Sequence, residues 1–101
     1  MSNKHYLLSN LAILDLQEIW LYTFERWSKE EADRYYNQII VEIEYVSKNL
    51  NYGKTIEHVK KGYRVVKVKS HLIFYRISNN AMIEVIRILH ESMDIPERLK
   101  D

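Results

Sequence analysis

The spacing of apolar residues along the chain changes twice. Residues 4–8 read as a short strand, and Ser9 follows as a helix N-cap whose hydroxyl can satisfy a free backbone N–H. Beyond it Ala12, Ile13, Leu16, Ile19, Trp20, Thr23, Phe24 and Trp27 recur at helical spacing. Asp15, Glu18, Tyr22 and Glu25 form a second stripe, expected to face solvent. Ser28-Lys29-Glu30-Glu31 is a capping box, so the first helix ends near Trp27 and a second begins at once. The second helix carries Ala32, Tyr35, Tyr36, Ile39, Ile43, Val46 and Leu50 on one side, with Glu30 and Arg34 four apart and placed to pair on the other. Asn49-Leu50-Asn51-Tyr52-Gly53 holds the turn residues that stop it. Two helices joined by so short a turn predict an antiparallel hairpin.

After Gly53 the period becomes that of strands. Tyr63-Arg64-Val65-Val66-Lys67-Val68-Lys69 is rich in β-branched residues. His71-Leu72-Ile73-Phe74-Tyr75-Arg76-Ile77 is almost continuously apolar, as in a strand buried on both faces. Asn79-Asn80 suits a two-residue hairpin turn, because Asn tolerates positive φ. A third strand, residues 82–89, returns. Asp94 and Pro96 fit the start of a short terminal helix. The order β-α-α-β-β-β, with helices ahead of an antiparallel meander, predicts an α+β fold: a helical hairpin laid on one face of a small, mainly antiparallel sheet, then a short C-terminal tail.

Composition narrows the function more than the fold. A chain of 101 residues with 47% hydrophobic and 29% charged residues is expected to be one domain, 1–101, and not a disordered segment. The absence of Cys excludes a disulfide framework, a thiolate zinc site and a cysteine nucleophile. His5, His58, His71 and His90 are scattered and show no metal-binding spacing, so no metal and no cofactor is expected. No apolar run approaches a membrane span, and the first residues lack a signal-peptide pattern, so a cytoplasmic protein without a membrane partner is expected. Fifteen basic against fourteen acidic residues, net +1, argue against direct nucleic-acid binding. The basic run from Lys54 to Lys69 reads equally as a solvated loop and edge strand. Eight Tyr, two Trp and two Phe supply either core area or an interaction surface.

Several ordered fragments resemble one family. Tyr6-Leu7-Leu8-Ser9, Ala12, Asp15-Leu16 and Ile19-Trp20-Leu21-Tyr22-Thr23 look like the opening of ParE toxins, and Trp27, Ala32 and Tyr35-Tyr36 continue it. Gly62-Tyr63-Arg64 and His71-Leu72-Ile73-Phe74-Tyr75-Arg76 resemble the family's second and third strands. Arg87-Ile88-Leu89-His90 followed by Met93-Asp94 resembles its signature at the end of the last strand. The resemblance, to the ParE/RelE superfamily of type II toxin–antitoxin modules, spans nearly the whole chain. It implies the same β-α-α-β-β-β order, a hetero-oligomer with a ParD-like antitoxin, and DNA gyrase as target.

The same fold hosts ribosome-dependent messenger RNA endoribonucleases of the RelE/YoeB type, so the site has to decide between branches. RNA cleavage by 2′-OH attack needs a proton acceptor, a proton donor and cations over the phosphate. Here Leu72 stands where a phosphate-binding Arg is expected, Val66 follows Arg64 on the same strand face, and no Tyr follows His90. These departures favour a binder without catalytic residues. Yet Arg64, His71, Arg76, Arg87 and His90 could converge on one sheet face, and His can serve as acid or base. An Arg in an apolar strand needs a definite partner, with Asp94 one choice for Arg87. A degenerate toxin that keeps only antitoxin binding is a third reading. The candidate target surface is therefore Arg64, His71, Arg76, Arg87, His90, Met93 and Asp94. The candidate antitoxin surface is Trp20, Tyr35, Tyr36 and Tyr63. Truncation after Leu89 is expected to leave a folded core.

Overall fold

The computed structural model describes residues 5–100. Strand β1 (Tyr6–Leu8) leads into helices α1 (Asn10–Arg26) and α2 (Lys29–Lys48). Strands β2 (Lys54–Thr55), β3 (Tyr63–Val68), β4 (His71–Ile77) and β5 (Ile83–His90) follow, and α3 (Ile95–Arg98) closes the chain. The five strands make one sheet in the order β1-β5-β4-β3-β2. Only β1 runs parallel to its neighbour, Tyr6 pairing with Ile83 and Leu8 with Val85. The helical hairpin and the α+β order are as the apolar periods predict; Lys4, part of the predicted first strand, lies outside the described residues.

Polar side chains fix where the helices begin. Ser9 accepts the Ala12 N–H at 3.0 Å and its own hydroxyl donates to the Ile86 carbonyl at 2.7 Å, so the cap of α1 also ties it to β5. Ser28 accepts the Glu31 N–H at 3.1 Å and starts α2. On the wet face of α2, Arg34 pairs with Glu31 rather than with Glu30, and Lys29 pairs with Asp33 at 2.9 Å.

Packing rotates α1 from its expected orientation. The buried residues are Ala12, Leu16, Ile19 and Thr23, whereas Ile13, Phe24 and Trp27 of the expected apolar stripe are exposed. Ala12, Leu16 and Ile19 join Ile39, Ile43 and Val46 of α2 and Val66, Ile73, Tyr75, Ile83, Val85 and Ile88 of the sheet in the main core.

A second apolar cluster of Ile56, Phe74, Leu89 and Leu99 occupies the other sheet face, since Phe74 alternates with Ile73 and Tyr75. Thus β4 is buried on both sides, as its continuous apolar run predicts. A register shift pairs Phe74 with Arg87 but Tyr75 with Val85, leaving Ile86 as an extra residue in β5. The bulge lets Val85 and Ile88, three apart, both face the helices.

Two further local expectations fail. The β4–β5 reversal places Ala81, not an Asn, at φ 57°, within a wider loop closed by Ser78 N–H on Met82 O at 2.7 Å. Truncation after Leu89 would not spare the core, because Leu99 is 5% exposed and packs with Phe74 and Leu89.

Candidate functional site

A cleft of about 1050 Å³ opens between the helical hairpin and one end of the sheet. Helix α1 contributes Asp15, Glu18 and Tyr22, α2 contributes Glu31, Arg34 and Tyr35, and the sheet end contributes Lys69, His71, His90, Ser92 and Met93. The chain arrives there because β3 and β4 are joined by the tight turn Lys69-Ser70, with Lys69 at φ 52°. His71, the first residue of β4 after that turn, is the direct cross-strand partner of His90, the last of β5.

The two imidazoles meet edge to face with centroids 5.3 Å apart. Tyr35 reaches in from α2, its hydroxyl 2.7 Å from His71 Nδ1 and 3.0 Å from the Val68 carbonyl. His90 Nδ1 accepts the Ser92 backbone N–H at 3.1 Å. Burial, then the nearby His90, push the His71 pKa below its ordinary value; Asp15 and Glu91 act in the opposite direction. Burial raises the Tyr35 hydroxyl. At neutral pH His71 is therefore a neutral ring with a phenol bound to one nitrogen.

Arg87 is held beside this cleft. Its guanidinium makes two bonds to Asp15, Nε to Oδ2 at 2.8 Å and Nη2 to Oδ1 at 2.9 Å. The same Asp15 carboxylate accepts the Ile88 N–H at 2.9 Å. The arginine thus has the definite partner its apolar strand requires, but the partner is Asp15. Asp94 instead caps α3 through the Glu97 N–H at 3.3 Å. Asp15 is accordingly no member of a solvated acidic stripe: its side chain is 11% exposed. The hydrogen bonds that Arg87 donates to Asp15 hold the guanidinium pKa above its ordinary value.

The five predicted cations do not converge. Arg64 donates to the carbonyls of Gly53 at 2.6 Å and Asn51 at 3.2 Å, tying down the α2–β2 loop. Arg76 pairs with Glu84 at the far end of the sheet from His71. Only His71, His90 and, behind Asp15, Arg87 share a neighbourhood, and exposed Met93 joins them on the cleft wall.

The four predicted antitoxin residues are also dispersed. Tyr35 lines the cleft, Tyr36 packs on the main core, and Tyr63 packs on the opposite sheet face. Trp20 donates to Asp33 at 2.9 Å and stacks on Phe24 at 5.2 Å. What the sequence reading overlooked is the outer side of α1, where Leu14, Leu21 and Phe24 are 52%, 49% and 44% exposed. These lie three and seven apart, a signal hidden because they were counted with, or lost beside, the buried stripe. Asp15 and Ser92 were also missed; an isolated acid between Leu14 and Leu16 was the available signal for the first.

Among the described residues no group of three or more potential ligands could hold a metal ion, and no helix is long and apolar enough to cross a membrane.

Comparison with known proteins covers the same span. Residues 6–95 match the family model described as the ParE toxin of the type II toxin–antitoxin system, parDE. The chain is 34% identical over 97 residues to Toxin ParE1 of Mycobacterium tuberculosis, covering 96% of this chain and 99% of that one. It is 37% identical over 91 residues to Toxin ParE1 of Caulobacter vibrioides, covering 90% and 93%. A solved chain of the chromosomal ParDE toxin–antitoxin system from P. aeruginosa superposes with a TM-score of 0.74 at 17% identity, over 86% of this chain and 98% of that one.

Proposed function

The chain belongs to the ParE toxin family of type II toxin–antitoxin systems, and from that premise we propose that it poisons DNA gyrase in the cytoplasm by binding and is neutralised by a ParD-like antitoxin. The observation that supports binding over chemistry is the state of the arginines around the imidazole pair. Arg87 is neutralised by Asp15 and Arg34 by Glu31, which leaves Lys69 on the rim among the described residues. A transferring phosphate needs more positive charge than that.

The antitoxin reading is supported by the outer side of α1. Leu14, Leu21 and Phe24 sit on one side of α1, beside the Trp20–Phe24 stack. A disordered antitoxin segment that folds over this helix and into the adjoining cleft would remove that apolar surface from water. Calorimetry with the cognate antitoxin tests it. The wild type should bind, and Leu21→Asp should bind at least about tenfold more weakly, the loss expected for one anchor side chain. Equal binding by both proteins would reject this surface.

One observation favours a second reading, a ribosome-dependent endoribonuclease: the Tyr35 hydroxyl is hydrogen-bonded to His71, and the His90 ring stands edge to face beside it. Messenger RNA cleavage in a translating extract, lost in His71→Ala, would establish it. A chain that binds antitoxin but affects neither gyrase nor messenger RNA would be a degenerate toxin.

A further inference from the structure

Strand β3 has an open edge. Ile56 N–H donates to Tyr63 O at 3.1 Å, so Tyr63 turns its backbone groups toward the β2 side. Alternation along an antiparallel strand turns those of Val65 and Lys67 the same way. Strand β2 begins at Lys54, opposite Val65, and does not reach Lys67. The Lys67 N–H and C=O therefore face outward, and among the described residues no other element supplies them a partner.

A groove of about 510 Å³ runs beside this edge, between β3 and α2. Asn37, Gln38 and Val41 of α2 form one side of it and Val68 the other. Val41 is 62% exposed, so its apolar side chain lacks a cover. The groove adjoins the cleft, since Arg34, Gln38 and Lys69 line both. Along the edge, Lys54 and Lys69 stand on either side of Lys67. Both are exposed, and among the described residues neither pairs with a carboxylate.

Resting on the reading that a ParD-like antitoxin neutralises the chain, we propose that the antitoxin lays an extended, acidic segment along this edge, adding a sixth strand beside residues 66–68. Side chains alternate in such a strand. The residue opposite Lys67 lies on the sheet face away from the helices, where an acid meets Lys67 and Lys54. Its neighbours face α2, where apolar side chains cover Val41 and Val68, and Val68 already packs on the main core from that face. Glu42 lines the groove on the α2 side, which confines the partner's acids to the outer face. A second copy of this chain fits poorly, because edge-to-edge pairing would bring the lysines of both copies together. A nucleic acid would use the lysines but leave the Lys67 backbone groups and the Val41–Val68 strip unmet.

Amide exchange on the full chain, alone and saturated with its cognate antitoxin, reads this edge directly. In the free toxin Lys67 N–H should exchange quickly between slower Val66 and Val68, and in the complex its protection should rise at least about tenfold. Proline is tolerated at an edge position whose N–H faces solvent, so Lys67→Pro should fold. It should bind the antitoxin about threefold to tenfold more weakly than Lys67→Thr, which loses the same charge but keeps the N–H. Lys69→Glu should also bind more weakly than the wild type. An antitoxin that binds while Lys67 N–H stays unprotected, or that binds Lys67→Pro and Lys67→Thr equally, would overturn the added strand and leave the antitoxin reading intact. Failure of the wild type to bind any antitoxin would overturn both. Lys67 protection that rises with toxin concentration alone, or on adding duplex DNA in place of antitoxin, would overturn the proposal in favour of a second copy or of a nucleic acid.

Discussion

Arg87 and Asp15 form a two-bonded ion pair, 2.8 and 2.9 Å long, that joins β5 to α1 across 72 positions of sequence. Their side chains are 15% and 11% exposed, and the carboxylate also takes the Ile88 N–H. One acid therefore neutralises the charge of a strand arginine and satisfies the backbone of β5 where β1 no longer covers it. Asp15→Ala leaves both the guanidinium and the amide without this partner. We expect a loss of about 3–5 kcal/mol in urea unfolding, the cost of stranding one member of a largely buried pair. Asp15→Asn, which keeps an acceptor for Ile88, should cost less. A loss below about 1 kcal/mol for Asp15→Ala would place the pair among surface ion pairs of small effect.

Tyr75 and Gly53 make a second lock, at the other end of the molecule. The hydroxyl of the fully buried Tyr75 donates to the Leu50 carbonyl at 2.9 Å and accepts the Gly53 N–H at 2.8 Å. A Cβ on Gly53 would lie 2.5 Å from the Tyr75 hydroxyl. Tyr75→Phe leaves a buried amide and a carbonyl without their bond and should cost about 1–3 kcal/mol. Gly53→Ala should cost at least about 1 kcal/mol through overpacking, because the contact is with a ring already fixed by the core. Denaturant midpoints of the two variants check both figures, and a neutral Gly53→Ala would contradict the close contact.

The terminal helix is structural. Leu99 packs in one cluster with Ile56, Phe74 and Leu89, and the Arg98 carbonyl lies 3.4 Å from Arg87 Nη1. Leu99→Ala should destabilise by about 2–4 kcal/mol, as other large-to-small core changes do. A truncation after Leu89 should leave a chain that unfolds more readily still, so that loss of toxicity on truncation cannot by itself identify a target surface. Thermal unfolding of both proteins tests this, and an unchanged midpoint for Leu99→Ala would contradict it.

His71 gives stability a dependence on mild acid. Its folded pKa is lowered, first by burial and then by His90, from the ordinary value of 6.5. The unfolded chain therefore binds more protons than the folded one between the two values. Stability from the neutral ring is complete above about 6.5 and declines as pH falls toward the lower folded value. His71→Gln should flatten that part of the profile in urea titrations at pH values on either side of it. A variant whose stability falls as steeply as that of the wild type would remove His71 as the cause.

Much of the fold was legible because local signals and packing agree. Ser9 and Ser28 cap where their side chains suggest, and the apolar run of β4 is the strand that both faces bury. What could not be read were long-range choices. Helix α1 carries more apolar residues than one face can hold, so periodicity alone could not tell that Leu16 and Ile19 turn inward while Phe24 and Leu21 face out. The bulge at Ile86 changes which residues of β5 share a face, and no residue type announces it. The partner of Arg87 lies on another element, so a nearby Asp94 was the natural choice from sequence. The imidazole pair was legible as residues, but its company, Tyr35 from α2 and Ser92 from the turn, came only with the packing.

Gyrase itself offers the most direct test of the binding mechanism. Purified chain is titrated into gyrase, relaxed plasmid and ATP, and messenger RNA integrity is followed in a translating extract. Supercoiling should fall with toxin, linear or nicked plasmid should accumulate once the trapped gyrase is denatured, and messenger RNA should stay whole. Undiminished supercoiling at saturating toxin, with messenger RNA cut, would contradict the mechanism and move the activity to the ribosome.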